Sequence, residues 1–210
     1  MFIKEPYWCF DGVLTERFIN DLVRYGIEKK EIVALTGKFK NRKGEELSKE
    51  ETNDLKTKRN SNIVWLDDHW IYKEILPYIK IANTNAGWNF DFDISESCQF
   101  TKYKLNQYYD WHRDSWNEPY IKPEDLKYHG KVRKLSVSCL LSDPKDYKGG
   151  DLEFAIMDKE PNEKPDIIKL KSLKKGSIVV FPSFLWHRVK PVTKGIRYSL
   201  VIWSCGYPFK

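Results

Sequence analysis

The chain has 210 residues, of which 41% are hydrophobic and 15% aromatic, enough to bury a real hydrophobic core within one domain. Its net charge of +6 comes from 36 basic and 30 acidic residues without a dense Lys/Arg stripe, so a nucleic-acid partner is permitted but not indicated. The four cysteines lie far apart, which gives no support to a zinc finger or a thioredoxin-like protein.

The N-terminus shows no basic start followed by an apolar stretch, which a signal peptide requires. No apolar run approaches the ~20 residues that a membrane span needs. We therefore expect a soluble, cytoplasmic protein without a membrane partner.

Two helices are predicted in the first part of the chain. Apolar residues recur with helical spacing in residues 14–27, where Thr15 is the predicted N-cap. Residues 66–87 show a similar spacing, and Pro77 within them predicts a kink or a restart. Between the helices, residues 38–62 are charged and polar, which predicts a flexible insertion.

From residue 88 onward the spacing changes to the alternation that is typical of β-strands. Strands are predicted in WNFDFD, CQFTKYKLNQYY, KLSVSCLLSD, GGDLEF, GSIVVFPSF and IRYSLVIWS. Many short strands without alternating helices favour an antiparallel sandwich or barrel. We therefore interpret residues 1–210 as one domain, with a helical support region at 1–87 and a β core at 88–210.

A histidine and an aspartate stand two positions apart, at His112 and Asp114, inside a run of Tyr and Trp. Residues i and i+2 of a strand point to the same side, so an imidazole and a carboxylate can face one point. The pair alone is a weak motif, and a structural or surface histidine is the simpler interpretation.

A second histidine follows the apolar strand that begins at Gly176, where Trp186 precedes His187. A turn around residues 191–195 leads into a strand that carries Arg197, and antiparallel pairing through this hairpin is expected to bring Arg197 back near His187. An arginine inside an apolar strand requires an anionic partner, which a dicarboxylate ligand supplies bidentately.

Two histidines and one aspartate form the facial triad of non-haem iron(II) sites, which leaves coordination positions open. A 2-oxo acid can occupy two open positions and dioxygen a third, while Arg197 holds the far carboxylate of the acid. Zinc more often keeps a closed shell of four ligands. The pattern therefore favours an iron site that activates oxygen.

The order of these residues resembles the Fe(II)- and 2-oxoglutarate-dependent dioxygenases, specifically their prolyl 4-hydroxylase-like branch, over residues 88–206. In that branch a Tyr stands nine positions before the His-x-Asp motif, with a Gln and a second Tyr between. The corresponding residues here are Tyr103, Gln107 and Tyr109.

The resemblance continues downstream of the first two ligands. The branch has a strand ending in Ser-Asp, a Gly-Gly-acidic turn and a Gly-Ser pair before the distal histidine, which match SVSCLLSD, GGD and GS. A basic residue ten positions beyond that histidine matches Arg197, and a Trp six positions further on matches Trp203.

This resemblance implies a mainly β fold of the α+β class, with a double-stranded β-helix (jelly-roll) catalytic core packed against the N-terminal helices. The iron ligands that it implies are His112, Asp114 and His187. The implied 2-oxoglutarate-binding residues are Arg197, Tyr103 and, from other branches, Ser199. The residues expected to line the substrate side are Tyr109, Trp203 and Trp116.

The implied reaction hydroxylates a C–H bond and converts 2-oxoglutarate and dioxygen to succinate and carbon dioxide, with ascorbate as a candidate reductant. A prolyl or other protein side chain is the preferred substrate, with residues 115–130 as a mobile lid or binding loop. Two alternatives stay open. One is a nucleic-acid-modifying oxygenase of the same superfamily, and the other is a non-enzymatic jelly roll that binds a metal or a carboxylate.

The sequence departs from the prolyl branch at positions near the predicted ligands. Arg197 stands where that branch commonly has Lys, Asn106 replaces a usual Gly, and Trp111 replaces a residue that is often Pro. These differences leave the cofactor chemistry intact and weaken the case for proline itself as the substrate. Trp203 occupies the position of a second Arg in nucleic-acid dealkylases, which lowers that alternative.

Overall fold

The computed structural model describes residues 4–34, 57–116, 118–156, 164–170 and 173–209. Helix α1 spans Glu16–Glu28 and helix α2 spans His69–Asn85. Residues 38–56 of the predicted charged insertion lie outside the described ranges. Within those ranges, no helix is both long and apolar enough to cross a membrane.

Fifteen strands are present in the described residues. In chain order they are β1 Trp8–Phe10, β2 Ile32–Val33, β3 Arg59–Asn60, β4 Asn62–Leu66, β5 Ile94–Ser95, β6 Cys98–Tyr103, β7 Tyr108–His112, β8 Val132–Leu140, β9 Tyr147–Gly149, β10 Leu152–Ile156, β11 Asp166–Leu170, β12 Ile178–Pro182, β13 Trp186–Val189, β14 Val192–Gly195 and β15 Arg197–Gly206.

These strands form two main sheets. The large sheet has eight described strands in the order β1-β12-β8-β15-β6-β4-β2, with β5 also paired to β15. The small sheet has the order β11-β10-β13-β7-β3, and β14 pairs with β9 separately. Every pairing among these strands is antiparallel, which confirms the predicted mainly β fold.

The N-terminal region contributes more than helices. Its strands β1, β2 and β4 belong to the large sheet, and β3 belongs to the small sheet. The position at which the sequence changes from helical to alternating spacing is therefore not a border between a helical layer and a β layer.

Both predicted helices form, and each buries an apolar stripe. The hydroxyl of Thr15 accepts a hydrogen bond from the Phe18 backbone N–H at 3.2 Å, which is the predicted N-cap of α1. Helix α2 runs through Pro77 without a restart, and its residues Ile71 and Ile75 are fully buried. Burial of this stripe stabilises the helix against the loss of the proline N–H.

The prediction of a strand at residues 88–93 is wrong, because a side chain replaces the neighbouring strand. The Asn83 amide donates to the Phe90 carbonyl at 3.0 Å and accepts from the Phe90 N–H at 2.9 Å. Asn89 between them has a φ of 50°, outside the β region. The alternation in WNFDFD instead reflects Trp88 and Phe90, which are both buried in the core.

The large sheet presents two chemically different faces, because successive side chains of a strand point to opposite sides. On β15, Leu200 and Ile202 belong to the main core beneath the helices, whereas Arg197 and Ser199 occupy the alternate positions. Ser136 of β8 is likewise buried outside that core cluster. The space between the sheets holds a second apolar cluster that comprises Tyr103, Leu152, Phe154, Val179, Phe181, Val189 and Val192.

Candidate active site

The structure brings together the three residues that the sequence predicts as metal ligands. His112 ends β7 and pairs directly with His187 of β13, and Asp114 follows two residues after His112. Nε2 of His112 lies 3.7 Å from Oδ1 of Asp114, and Nε2 of His187 lies 3.5 Å from Oδ2. One ligand atom from each residue lies within 4.8 Å of the others, a spacing that could hold one metal ion.

Backbone carbonyls orient both imidazoles. Nδ1 of His112 lies 2.7 Å from the Asp110 carbonyl, and Nδ1 of His187 lies 2.9 Å from the Leu185 carbonyl. A carbonyl only accepts hydrogen bonds, so Nδ1 of each ring carries a proton, and in the neutral form of either imidazole Nε2 is the nitrogen with the lone pair. This is the tautomer that a metal bound through Nε2 requires.

The strand β8 and the loop after β12 fix the carboxylate. The Ser136 hydroxyl donates to Oδ2 of Asp114 at 2.8 Å and lies 2.9 Å from the Ser183 hydroxyl. The backbone N–H of Asp114 donates to the Ser183 carbonyl at 2.9 Å. The aspartate is therefore held from both its side chain and its backbone.

The site also sets the protonation states of its residues. Burial opposes ionisation of Asp114, but the imidazoles of His187 and His112 and the Arg133 guanidinium outweigh it and hold the Asp114 pKa at about 2. Burial, assisted by His187, lowers the His112 pKa to about 3 even though Asp114 opposes the shift. At neutral pH the site therefore presents an ionised carboxylate and a neutral His112, as metal binding requires.

Arg197 lies buried at the start of β15, opposite Tyr103 of β6 in the strand register. Its Cζ is 5.6 Å from the centroid of the Tyr103 ring, and its Nη1 has no hydrogen-bond partner among the described residues. Ser199 lies two residues further along the strand and is also buried. A buried guanidinium without an anion is unfavourable, so this corner suits a carboxylate ligand.

The route by which Arg197 reaches this position differs from the prediction. The expected hairpin pairing between the strands of His187 and Arg197 is wrong, because β14 lies between them and pairs with β9 instead. The two residues lie in different sheets. Tyr103 links the two parts of the site: burial raises its pKa, with Asp114 also raising it and Arg197 lowering it.

The Gly-Gly turn determines where the Arg197 side chain can lie. Gly150 has a φ of +67°, and a Cβ at this position would lie 2.8 Å from Cδ of Arg197. Any larger residue would therefore push against the arginine. The predicted Gly-Gly-acidic motif thus leaves room for the Arg197 side chain.

The three predicted substrate-lining residues occupy different environments. The Tyr109 ring stacks on the His112 ring, with centroids 3.4 Å apart. Trp203 is 5% exposed, and Cζ of Arg133 lies 3.9 Å from its ring centroid. Its indole N–H lowers the pKa of Asp114 but makes no hydrogen bond of good geometry. Trp116 is 57% exposed on the loop that was predicted as a lid.

An ion pair beneath that loop was not predicted from the sequence. Arg133 donates through Nε to Oε1 of Glu96 at 2.8 Å, and the Tyr120 hydroxyl donates to the same oxygen at 2.7 Å. Arg133 also lies 5.0 Å from the Trp116 ring. The loop is therefore anchored by Tyr120 to a charged pair that adjoins Asp114. Arg133 and Glu96 are far apart in sequence, so no local pattern reveals them.

A second buried arginine near the site was also missed. Arg59 of β3 pairs with Tyr109 of β7, and its Cζ lies 4.5 Å from the Tyr109 ring centroid. In the sequence it lies within residues 38–62, which were predicted as a flexible insertion, and that prediction is wrong at this end because Arg59–Asn60 form β3. The available signal was the alternation of Arg59, Ser61 and Ile63, all of which are buried.

Comparison with known proteins agrees with this geometry. The 2OG-Fe(II) oxygenase superfamily matches residues 98–205. A PKHD-type hydroxylase of Synechococcus sp. (strain JA-2-3B'a(2-13)) is 39% identical over 69 residues, 33% of this chain and 27% of that protein. A PKHD-type hydroxylase of Pseudomonas fluorescens is 31% identical over 121 residues, 57% of this chain and 39% of that protein. The chain thus spans well under half the length of these relatives.

Solved structures share the fold. A viral collagen prolyl hydroxylase from Paramecium Bursaria Chlorella virus-1, in complex with 2OG, has a TM-score of 0.62 at 21% identity over 97% of both chains. A Pseudomonas putida prolyl-4-hydroxylase has a TM-score of 0.61 at 20% identity, covering 96% of this chain and 92% of that one. With the superfamily matching more than half of the sequence, this chain belongs to the 2OG-Fe(II) oxygenase superfamily.

Proposed function

We propose that this chain is an Fe(II)- and 2-oxoglutarate-dependent dioxygenase that hydroxylates a C–H bond of a prolyl or other peptide side chain, with release of succinate and carbon dioxide. The observation that carries the proposal is the convergence of His112, Asp114 and His187, together with the buried Arg197, which pairs with no carboxylate among the described residues and acts on the same Tyr103 side chain as Asp114. A binding module needs no such combination of open metal site and carboxylate anchor.

The donor set fits ferrous iron. Nε2 of His112 and of His187 and one oxygen of Asp114 would hold the ion, and Ser136 keeps the second carboxylate oxygen occupied. When bound, iron would supply the oxidising chemistry by which dioxygen, 2-oxoglutarate and the substrate give succinate, carbon dioxide and a substrate hydroxylated at a C–H bond. Ascorbate is the reductant that we expect to keep the iron ferrous.

The protein's own contribution is binding, orientation and exclusion of water. Arg197 would bind the far carboxylate of 2-oxoglutarate with the Tyr103 hydroxyl beside it, because both are buried and face each other across β15 and β6. Ser199 would complete this corner. Tyr109 packs against one face of His112 and thereby limits access of water to the metal ligands.

A peptide is the substrate that the comparisons favour. The relatives are PKHD-type hydroxylases, and the solved structures include prolyl hydroxylases, one of them from Trichoplax adhaerens in complex with a hypoxia inducible factor peptide fragment. In our proposal the peptide lies along the exposed side of the site, against Trp116 and Tyr109. Residues 115–130 would act as the loop that covers it.

The direct test is succinate release from 2-oxoglutarate by the purified chain with iron(II) and ascorbate, with and without proline-containing peptides. We expect basal release that peptides stimulate, together with the gain of one oxygen atom by a peptide in mass spectrometry. Loss of release in the Asp114→Ala variant is the required control. The absence of succinate under all of these conditions would overturn the proposal, and oxygen gain by an oligonucleotide alone would replace the peptide with a nucleic acid.

A further inference from the structure

The second buried arginine is the strongest feature that the proposed function leaves unexplained. Arg59 is 7% exposed, and its Nε donates to the Ser61 hydroxyl at 3.1 Å. Its Nη2 is buried with no hydrogen-bond partner, and no carboxylate within the described ranges pairs with it. A buried cation without an anion is unfavourable unless a ligand supplies the missing charge.

The guanidinium of Arg59 lies next to the candidate active site. It lies over the ring of Tyr109, which itself stacks on His112, so one continuous stack leads from the arginine to a proposed iron ligand. The positive charge of Arg59 also contributes to lowering the pKa of His112 and of Tyr103. Arg59 and Arg197 therefore both act on Tyr103, which is buried.

The charges of the proposed cofactors and their ligands balance without the positive charge of Arg59. This step rests on the proposed function. The two charges of ferrous iron and the one of Arg197 balance the carboxylate of Asp114 and the two carboxylates of 2-oxoglutarate. Arg59 then adds one buried positive charge that no described residue and no proposed cofactor neutralises.

We propose that Arg59 binds a carboxylate of the substrate, so that the site selects peptides with an acidic group close to the residue that is hydroxylated. Its planar guanidinium suits bidentate contact with a carboxylate, since Nη2 is unoccupied. The net charge of +6 also favours the approach of an acidic peptide. The other source of a carboxylate is 2-oxoglutarate itself, and the test separates the two.

The experiment uses protein loaded with Zn(II), which does not turn over, and 2-oxoglutarate. Fluorescein-labelled nonapeptides with a central proline carry Glu or Gln at each flanking position, and their binding is measured by fluorescence anisotropy. The variants are Arg59→Gln, Arg59→Lys and, as the matched control, Lys58→Gln, which removes the same charge from the exposed neighbouring residue. Calorimetry gives the Kd of 2-oxoglutarate for each variant.

We expect the wild-type chain and Lys58→Gln to bind the Glu peptide on the order of 10- to 100-fold more tightly than its Gln counterpart at one flanking position. Arg59→Gln removes this difference, Arg59→Lys restores part of it, and the Kd of 2-oxoglutarate stays within about threefold. The Tm of Arg59→Gln does not fall, because the change removes an unpaired buried charge.

Three results overturn the proposal. The first is a preference for the Glu peptide that persists in Arg59→Gln, or the lack of any such preference in the wild-type chain at every flanking position. The second is a Kd of 2-oxoglutarate that rises about tenfold in Arg59→Gln while peptide binding is unchanged, which assigns the carboxylate to the cosubstrate. The third is a marked drop in Tm, which makes Arg59 structural. A wild-type chain that binds no 2-oxoglutarate contradicts the proposed function instead.

Discussion

The two faces of the large sheet differ in chemistry although they alternate along the same strands. The face beneath the helices is apolar at its centre, with Leu200 and Ile202 of β15 fully buried in the main core. The opposite face carries Arg197 and Ser199 of the same strand, and Ser136 of β8. Leu200 and Ile202 of this strand thus contribute to stability, whereas Arg197 and Ser199 belong to the candidate site.

Different residues of the same strand can therefore determine stability and proposed activity separately. The core face supplies the apolar burial that stabilises the fold, so the opposite face can keep the buried Arg197, whose Nη1 has no hydrogen-bond partner among the described residues. Substitutions on the two faces of β15 should therefore change different measured quantities.

Removal of a proposed metal ligand should have the largest effect. We expect His187→Ala to weaken binding of Fe(II) by more than about 100-fold and to reduce succinate release to background, because two ligands cannot replace three. Anaerobic metal titration and succinate assays measure both. His69→Ala, at the exposed start of α2, is the control and should behave like the wild-type chain. Full iron binding by His187→Ala would contradict the assigned site.

A truncation on the core face should affect stability alone. Ile202→Ala is expected to lower the free energy of unfolding by about 2–5 kcal/mol, because it leaves a cavity in a packed core. Urea unfolding monitored by fluorescence gives this value. The folded fraction should keep the wild-type Kd for 2-oxoglutarate, and a changed Kd would show that the two faces are coupled.

Loss of the buried arginine on the inner face should give the reverse result. Arg197→Gln is expected to weaken 2-oxoglutarate binding on the order of 10- to 100-fold, since a charged hydrogen-bond partner is removed. The Tm should stay the same or rise, because the guanidinium is unpaired in the free protein. Lys194→Gln on the exposed part of β14 is the charge-matched control. A large fall in Tm for Arg197→Gln would argue against an unpaired anchor.

A smaller effect is expected at the turn that positions this arginine. Gly150→Ala places a methyl group against Cδ of Arg197 and strains a backbone with positive φ. We expect 2-oxoglutarate binding to weaken about tenfold and stability to fall by about 1 kcal/mol. Gly87→Ala also strains a positive φ but meets no atom within 4 Å, so it should lose stability without any change in Kd.

The smallest predicted effect is a pH dependence of the metal-free protein. Because the His112 pKa is about 3 in the fold and 6.5 ordinarily, only the unfolded chain takes up this proton as the pH falls from 6.5 toward 3. Stability should therefore fall as the pH is lowered through that window. Below pH 3.8, protonation of Asp114 in the unfolded chain adds to the loss. Urea unfolding from pH 7.5 to pH 4 should show a shallower slope for His112→Gln, and equal slopes would contradict the shifted pKa.

Local patterns in the sequence were sufficient for the helices and for most strands of the β core. The Thr15 cap and the alternation in β8 and β15 depend on neighbours within a few residues, which a single sequence displays. The same alternation failed at residues 88–93, because the Asn83 side chain supplies the hydrogen bonds of a strand partner. The alternation does not reveal this, because the hydrogen-bonding side chain lies seven residues away in the preceding helix.

Some residues of the candidate site were likewise predictable from the sequence and others were not. The positions of His112, Asp114, His187 and Arg197 follow an ordered motif, so their proximity was expected from the sequence. Arg59 was missed because its burial depends on pairing with β7, which the sequence does not display. The Glu96–Arg133 ion pair was missed for the same reason.

The central position of β15 has a consequence for synthesis of the protein. This strand lies between β8 and β6, both of which precede it in the chain, and it also pairs with β5. The ribosome therefore produces its neighbours first, and they remain unjoined until residues 197–206 emerge. A nascent chain that stops earlier lacks Arg197 together with the middle of the sheet. We expect such fragments to remain unfolded and to be degraded.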